Sequence, residues 1–366
     1  MHLSNKMPFE ANLSRRSLLS ALALLPAARL LRGQQANTTF SADVKVVNLL
    51  ATVRDKQGQI VRDLTKEDFI LDEDGHPQTI SYFSRETDLP LTLGLLVDTS
   101  GSERREIPEE RRASIRFFEQ VMRPEKDLAF VIHFDFEVEL LEDLTNSREK
   151  LEKALNQLDT PQLQRQRQGG GYPGGGQRGG RGRGGGGTDL YDAVFLAGDE
   201  LMKKQKGRKA LILLSDGVDT GSKETLGGAV EAAQRADTLV YSILFEDPNG
   251  YGNNMGGFGG PRMGRRGGMG GGGGRGGGRY PTMNRPDGKK ILEQISRETG
   301  GRFFEVSRKW PINKVYEAIE EDLRNQYSLG YTSDQQGTER GYRRVHLAAK
   351  QKGLIVQTRE GYYPVT

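Results

Sequence analysis

The sequence predicts an α/β protein: a doubly wound, mostly parallel sheet with flanking helices, plus a small β-sandwich built from the two ends of the chain. Three observations lead there. Across residues 89–325, short apolar runs alternate with amphipathic helical patterns, the rhythm of a parallel sheet. Runs such as Leu91 to Val97 and Ala210 to Leu214 are almost unbroken in apolar residues, as strands buried on both faces are. Segments 40–88 and 326–366 read instead as strands and polar turns, each too small for its own core. One sandwich made from both, with the α/β domain inserted between them, is the economical solution.

Composition allows this. The chain has 366 residues and 49 glycines, and 30 of those glycines fall in two stretches, 162–187 and 249–280. Elsewhere the apolar content suffices for a full core. The net charge of +4 is equally uneven: the two Gly-rich stretches carry five Arg each and no acid, residues 1–36 add a further +4, and the rest stands at −10. A basic pI therefore says little about nucleic acid, because the folded body is acidic. There is no cysteine, which excludes disulfides, thiolate metal sites, a thiol nucleophile and a lipidated N-terminal cysteine.

Taken in order, residues 1–36 read as an export signal and leader. Ser14-Arg15-Arg16-Ser17-Leu18-Leu19 resembles a twin-arginine signal. The apolar run that follows, Leu18 to Ala28, is too short to span a bilayer and is broken by Pro26, so no transmembrane span is expected in the mature chain. Val44 to Arg54 alternates, with Val47, Leu49, Ala51 and Val53 on one face. Thr65 to Asp68 caps a helical turn before Phe69-Ile70-Leu71. Asp72-Glu73-Asp74-Gly75 reads as a solvated turn, since the distal Glu of a calcium-binding hand is missing. Thr79 to Ser84 alternates again.

In the central segment, Leu91 to Val97 is the first buried strand. Pro108 to Met122 is a helix, with Pro in its first turn and Phe117, Phe118, Val121 and Met122 inward. Leu128 to Phe134 and Val138 to Leu141 are strands, and Ser147 caps a helix carrying Leu151, Ala154, Leu155 and Leu158. Leu190 to Leu201 is helical, Ala210 to Leu214 a strand, Lys223 to Ala236 a helix and Leu239 to Phe245 a strand. Lys289 to Thr299 is a helix stopped by Gly300-Gly301. Phe303 to Val306 is a strand, and Pro311 to Asn325 a helix. Gln326 to Thr332, Arg343 to Ala349 and Ile355 to Arg359 return to strand.

The chemistry gathers at strand tips. Leu91 to Val97 ends in Asp98-Thr99-Ser100-Gly101-Ser102, which puts hard oxygen donors at the carboxyl end of a buried strand. Open α/β sheets bind ligands there. One carboxylate and two hydroxyls spaced by two suit a small hard cation such as Mg²⁺. Asp216, in Ser-Asp-Gly, sits at the tip of a second apolar strand, and Thr188 lies just before a helix.

These residues resemble the metal ion-dependent adhesion site of von Willebrand factor type A domains, whose sheet is Rossmann-like. The resemblance implies that Ser100, Ser102 and Thr188 bind the cation directly, and Asp98 and Asp216 mostly through water. Asp219, Thr220 and Asp189 stand nearby as alternative ligands. It implies no catalysis: an open metal position instead accepts a Glu or Asp from a partner protein. Mg²⁺ is the expected cation, with Mn²⁺ or Ca²⁺ left open. Val53-Arg54-Asp55, Leu64-Thr65, Asp68-Phe69, Glu73-Asp74-Gly75, Leu329-Gly330-Tyr331 and Arg359-Glu360-Gly361-Tyr362 extend the resemblance. They match an exported family related to these domains and best known from Acidobacteria, over residues 40–364.

The Gly/Arg-rich stretches depart from that family and read as disordered inserts. Gln177 to Arg183 and Gly274 to Tyr280 look like RGG segments, which bind RNA through charge and Arg stacking. Nucleic acid or another anionic polymer is thus the alternative ligand, although an exported protein meets little RNA. None of His2, His76, His133 and His346 forms a recognisable triad with a nucleophile, so no enzyme is expected. Expected locations are the periplasm, the cell surface or the medium.

Overall fold

The computed structural model describes residues 46–85, 89–158, 188–245, 287–334 and 341–364. The leader and both Gly/Arg-rich inserts, with the expectations placed on them, lie outside these residues. At the centre is a six-stranded sheet in the order β10-β9-β8-β5-β6-β7. Its members are β5 (Leu91–Asp98), β6 (Leu128–Phe134), β7 (Val138–Thr145), β8 (Arg208–Leu214), β9 (Leu239–Phe245) and β10 (Phe303–Val306). All neighbours run parallel except β7, which pairs antiparallel with β6 at the edge.

Strand periodicity explains the two layers of helices. Leu91, Leu93, Leu95 and Val97 point to one face. There they meet α1 (Ile107–Val121), α2 (Arg148–Leu155) and α6 (Ile312–Arg324). Leu96, with Phe130, Ile132, Leu211 and Leu213 of the flanking strands, points to the other face. There it meets α3 (Leu190–Leu196), α4 (Leu226–Arg235) and α5 (Gly288–Thr299). Local signals set the helix ends. Ser147, Thr225 and Asp287 accept a hydrogen bond from the backbone N–H three residues on, each worth about 1 kcal/mol. Helix α3 ends earlier than the sequence pattern suggests, because Ala197–Leu201 adopts a wider π turn.

The chain's two ends form two further sheets, β13-β1-β11-β4 and β14-β12-β2-β3. Strands β1 (Val46–Arg54), β2 (Phe69–Glu73), β3 (His76–Pro77) and β4 (Ile80–Arg85) precede the α/β segment. Strands β11 (Tyr327–Thr332), β12 (Arg343–Ala349), β13 (Ile355–Gln357) and β14 (Gly361–Tyr362) follow it. Every mixed pairing is antiparallel: Leu49 opposes Leu329, and Leu71 opposes Leu347. Their inner faces share one core of Leu49, Val53, Phe69, Leu71, Tyr327, Leu329, Tyr331 and Leu347.

One expectation is corrected here. Glu73 is no solvated turn residue: it ends β2 and is wholly buried. Its Oε1 accepts from Ser333 Oγ (2.5 Å) and Arg343 Nη1 (2.9 Å), and its Oε2 from Tyr331 (2.6 Å) and Tyr362 (3.0 Å) hydroxyls.

Polar clasps fasten the sandwich to the α/β part. Buried Asp322 of α6 accepts from Arg54 of β1, and from Arg302 at 3.0 Å. Arg359 Nη1 donates to Asp237, two residues beyond α4, at 2.6 Å, while within the sandwich Thr358 Oγ1 donates to the Leu50 carbonyl at 2.8 Å and Arg359 Nη2 to that of Asn48 at 2.7 Å. Among the described residues, no helix is long and apolar enough to cross a membrane.

Candidate metal centre

Asp98 closes β5 at the carboxyl end of the central sheet, and Ser215 and Asp216 directly follow β8 beside it. The strand order reverses here, with β6 on one side of β5 and β8 on the other. Such a switch point leaves a crevice outside the strand tips. The register pairs Val97 with Leu214, so Asp98 and Ser215 stand abreast. Ser215 Oγ donates to Asp98 Oδ2 at 2.8 Å, and the Ser100 N–H to Oδ1 at 2.9 Å.

Asp98 is wholly buried. Burial is the largest influence on its carboxyl and pushes the pKa up to about 6, against the hydrogen bonds from Ser100 and Ser215; the charge of Asp216 adds to the rise. The hydroxyls of Ser100 and Ser102 lie 3.0 Å apart on the loop above, and Ser102 is exposed.

The loops are stitched together by backbone. The Thr188 N–H donates to Thr220 Oγ1 at 3.1 Å, and its carbonyl accepts from the N–H groups of Thr220 (3.1 Å) and Gly221 (3.2 Å). The Asp189 N–H reaches the Asp135 carbonyl just beyond β6 at 2.7 Å, and the Thr99 N–H that of Phe134 at 2.9 Å. Asp216 accepts from the Val218 N–H at 2.9 Å. Gly217 has φ +76° and lies against the first residue of α5, where a Cβ would collide with the Gly288 carbonyl. Only glycine meets both demands, so the Asp216 loop is held by the start of α5.

Of the five residues that the sequence singles out, Asp98 is the tip of β5, and Ser100, Ser102, Thr188 and Asp216 sit on loops at the same end of the sheet. The neighbouring alternatives have other work. Thr220 is engaged with Thr188, and Asp219 accepts from Ser222 Oγ (2.5 Å) and the Tyr191 N–H (3.3 Å) at the start of α3. The Asp189 carboxylate packs against Gly221. Its pKa is raised by burial and by Asp192, Asp219 and Asp135.

The donor set fits a hard divalent cation. The hydroxyls on these loops are those of Ser100 and Ser102, 3.0 Å apart, and Thr188. The described partners of the two carboxylates are N–H and O–H groups of the same loops, with no Lys or Arg among them. Among the described residues no group of three or more His, Cys, Asp or Glu side chains could hold a metal. A cation here would therefore depend on hydroxyls and water, which leaves it poorly neutralised.

Ser215, the hydroxyl that orients Asp98, escapes the sequence reading although it adjoins Asp216. So does Glu110 of α1, which is wholly buried with both carboxylate oxygens unbonded. Burial first, then the charges of Glu103 and Asp98, push its pKa well above the usual range. It lies seven residues before Phe117, on the same inward face as Ser114, and that spacing was the available signal. Glu110→Met keeps the volume and removes two unsatisfied polar atoms. It is expected to stabilise the metal-free protein by about 1–3 kcal/mol. Thermal melts in EDTA check this, and a lower melting temperature would contradict it.

No curated protein matches the chain in sequence. Residues 93–218 match the family model of the von Willebrand factor type A domain, a span that contains all five site residues. Among solved structures, a von Willebrand factor type A protein from Catenulispora acidiphila is similar with a TM-score of 0.43 and 11% identity, over 88% of this chain and 75% of that one. The conserved hypothetical protein BatB from Bacteroides thetaiotaomicron is similar with a TM-score of 0.39 and 16% identity, over 64% of this chain and 97% of that one. Proximal thread matrix protein 1 from the mussel byssus gives 0.40 and 13% over 66% of this chain. That match spans only 47% of the mussel protein, and another structure of the mussel protein has a zinc-occupied MIDAS motif.

Proposed function

We propose that this chain, whose residues 93–218 match the von Willebrand factor type A domain, is an exported, non-enzymatic module that binds a partner protein through a divalent cation. The observation that supports the reading is that Asp98, at the switch point of the sheet, lies beside the paired hydroxyls of Ser100 and Ser102 and within electrostatic reach of Asp216, with no Lys or Arg among the described hydrogen-bond partners of either carboxylate. In this reading Ser100, Ser102 and Thr188 hold the cation directly, while Asp98 and Asp216 act mostly through water. The cation supplies an electrophilic position open to a Glu or Asp of the partner. Asp98 gives charge from below, Ser215 keeps it oriented, and Gly217 lets the Asp216 loop close against α5. Mg²⁺ is the cation proposed, since a small hard ion keeps its waters and tolerates few carboxylates. The Arg15-Arg16 leader supports export. The proposed domain division is 89–325 for the α/β part, with 40–88 and 326–366 as one sandwich.

The test is a pull-down from cell-envelope fractions in Mg²⁺ and in EDTA, with wild type and Ser102→Ala. Capture is expected in Mg²⁺ only, and at least tenfold less of it with Ser102→Ala, because a neutral ligand is lost while an exposed hydroxyl contributes little packing. Partners captured equally in EDTA would overturn the metal-bridged reading. The same fractionation has to find wild type outside the cytoplasm and the variant carrying Arg15→Lys and Arg16→Lys inside it; wild type recovered only inside would sink the export reading.

A further inference from the structure

At the opposite end of the central sheet from Asp98, a cleft of about 490 Å³ opens between the α/β part and the sheet containing β1 and β11. That is the size range of small-molecule sites. Its charge is lopsided: Lys206, Arg208, Lys209 and Arg359 line it against a single acid, Asp237. Arg359 uses that acid, at 2.6 Å, and is buried with its Nε unbonded.

Lys209 stands out. It is buried on β8, and its ammonium has one described partner, the Gln205 carbonyl at 3.2 Å. No carboxylate lies within ion-pair distance of it among the described residues. Burial pushes its pKa down, and the neighbouring Arg359 charge adds to this while Asp237 opposes it. A buried ammonium without an acid costs stability unless something else offsets its charge. Lys209 lines the cleft, and an anion bound there would supply that charge.

We propose that this cleft binds a small ligand through an oxyanion, a carboxylate or a phosphate group, with Lys209 as its principal contact and Arg359 and Lys206 beside it. The volume leaves room for a body the size of a sugar acid behind the charged group. The site is independent of the proposed cation: it lies at the other end of the strands and uses none of the same residues.

The test is thermal denaturation of the full chain in EDTA, which keeps cations away from Asp98. Inorganic phosphate or glucuronate is titrated against sodium chloride at matched ionic strength. The melting temperature of wild type is expected to rise with one or both anions, and which of them acts identifies phosphate or carboxylate as the recognised group. Lys209→Met is expected to weaken the response at least tenfold and, in chloride alone, to melt no lower than wild type. No rise with either anion, or a rise that Lys209→Met keeps, overturns the proposal. So does a Lys209→Met variant that melts well below wild type in chloride, since Lys209 would then be a structural residue.

Discussion

Asp98→Ala is expected to melt higher than wild type in EDTA and lower than wild type in excess Mg²⁺. The two halves have separate causes. Without a cation, a wholly buried carboxylate faces Asp216 with no positive partner, and its pKa rises from 3.8 to about 6. A carboxyl whose folded pKa exceeds its unfolded one is stabilising below the unfolded value, and that contribution is lost as pH climbs through the folded value. Keeping Asp98 ionised at pH 7.5 thus costs on the order of 3 kcal/mol, from 1.36 kcal/mol per pH unit. The alanine variant escapes this cost but leaves a small cavity and two unpaired donors. Its advantage in EDTA should be smaller than that figure and should vanish near pH 4.

With Mg²⁺ present, wild type gains by mass action, about 2.7 kcal/mol at a hundredfold excess over Kd, and the variant gains little. Affinity should also fall below about pH 6, by up to tenfold per unit, because the proton on Asp98 has to leave first. Were Asp98 only the acceptor of a tight turn, alanine would lower stability, and with it the melting temperature, in both buffers, by about 0.5–2 kcal/mol of free energy. Paired melts across pH 4 to 8 separate the two cases. A wild-type melting temperature indifferent to Mg²⁺ would remove the metal site and leave only the fold.

Glu73→Ala is expected to lose about 3–5 kcal/mol, the usual cost of stripping one partner from a buried ion pair. Burial alone would raise the Glu73 carboxyl. Hydrogen bonds from Ser333, Tyr331 and Tyr362, with the charge of Arg343, outweigh burial and hold its pKa below the ordinary value. The sign is opposite to that of Asp98: stability is present above the unfolded pKa and is lost as pH falls through the folded one. Glu73→Ala leaves the Arg343 guanidinium and two phenols buried around a hole. Glu73→Gln keeps the shape and should cost less. Urea titration at pH 7 and pH 4 tests both, and the gap between wild type and Glu73→Ala should narrow in acid. A variant as stable as wild type at pH 7 would contradict the buried cluster.

These two acids mark what a sequence can and cannot disclose. Asp98 was legible because it terminates an unbroken apolar run and is followed by Ser100 and Ser102 at spacing two. Strand, tip and donors are contiguous. Thr188 and Asp216 needed the resemblance, since only the sheet register brings their loops near Asp98. Glu73 was misread because Asp-Glu-Asp-Gly is turn-like locally, and Asp74 and Gly75 do turn, with φ of 50° and 82°. Its donors all come from residues 331–362. Lys209 and Arg359 likewise meet only through the packed fold, and nothing near either residue in sequence announces the other.

The arrangement of β1 also constrains the order of events at the ribosome. This strand is central in its sheet, yet both its neighbours, β11 and β13, are translated after the entire α/β segment. From its synthesis until β11 and β13 emerge, Val46–Arg54 has two open edges. Such edges are prone to mispairing, and closing contacts this distant in sequence is slow. A chain that stops before β11 would therefore keep the central α/β sheet but leave both edges of β1 unpaired, an arrangement prone to mispairing.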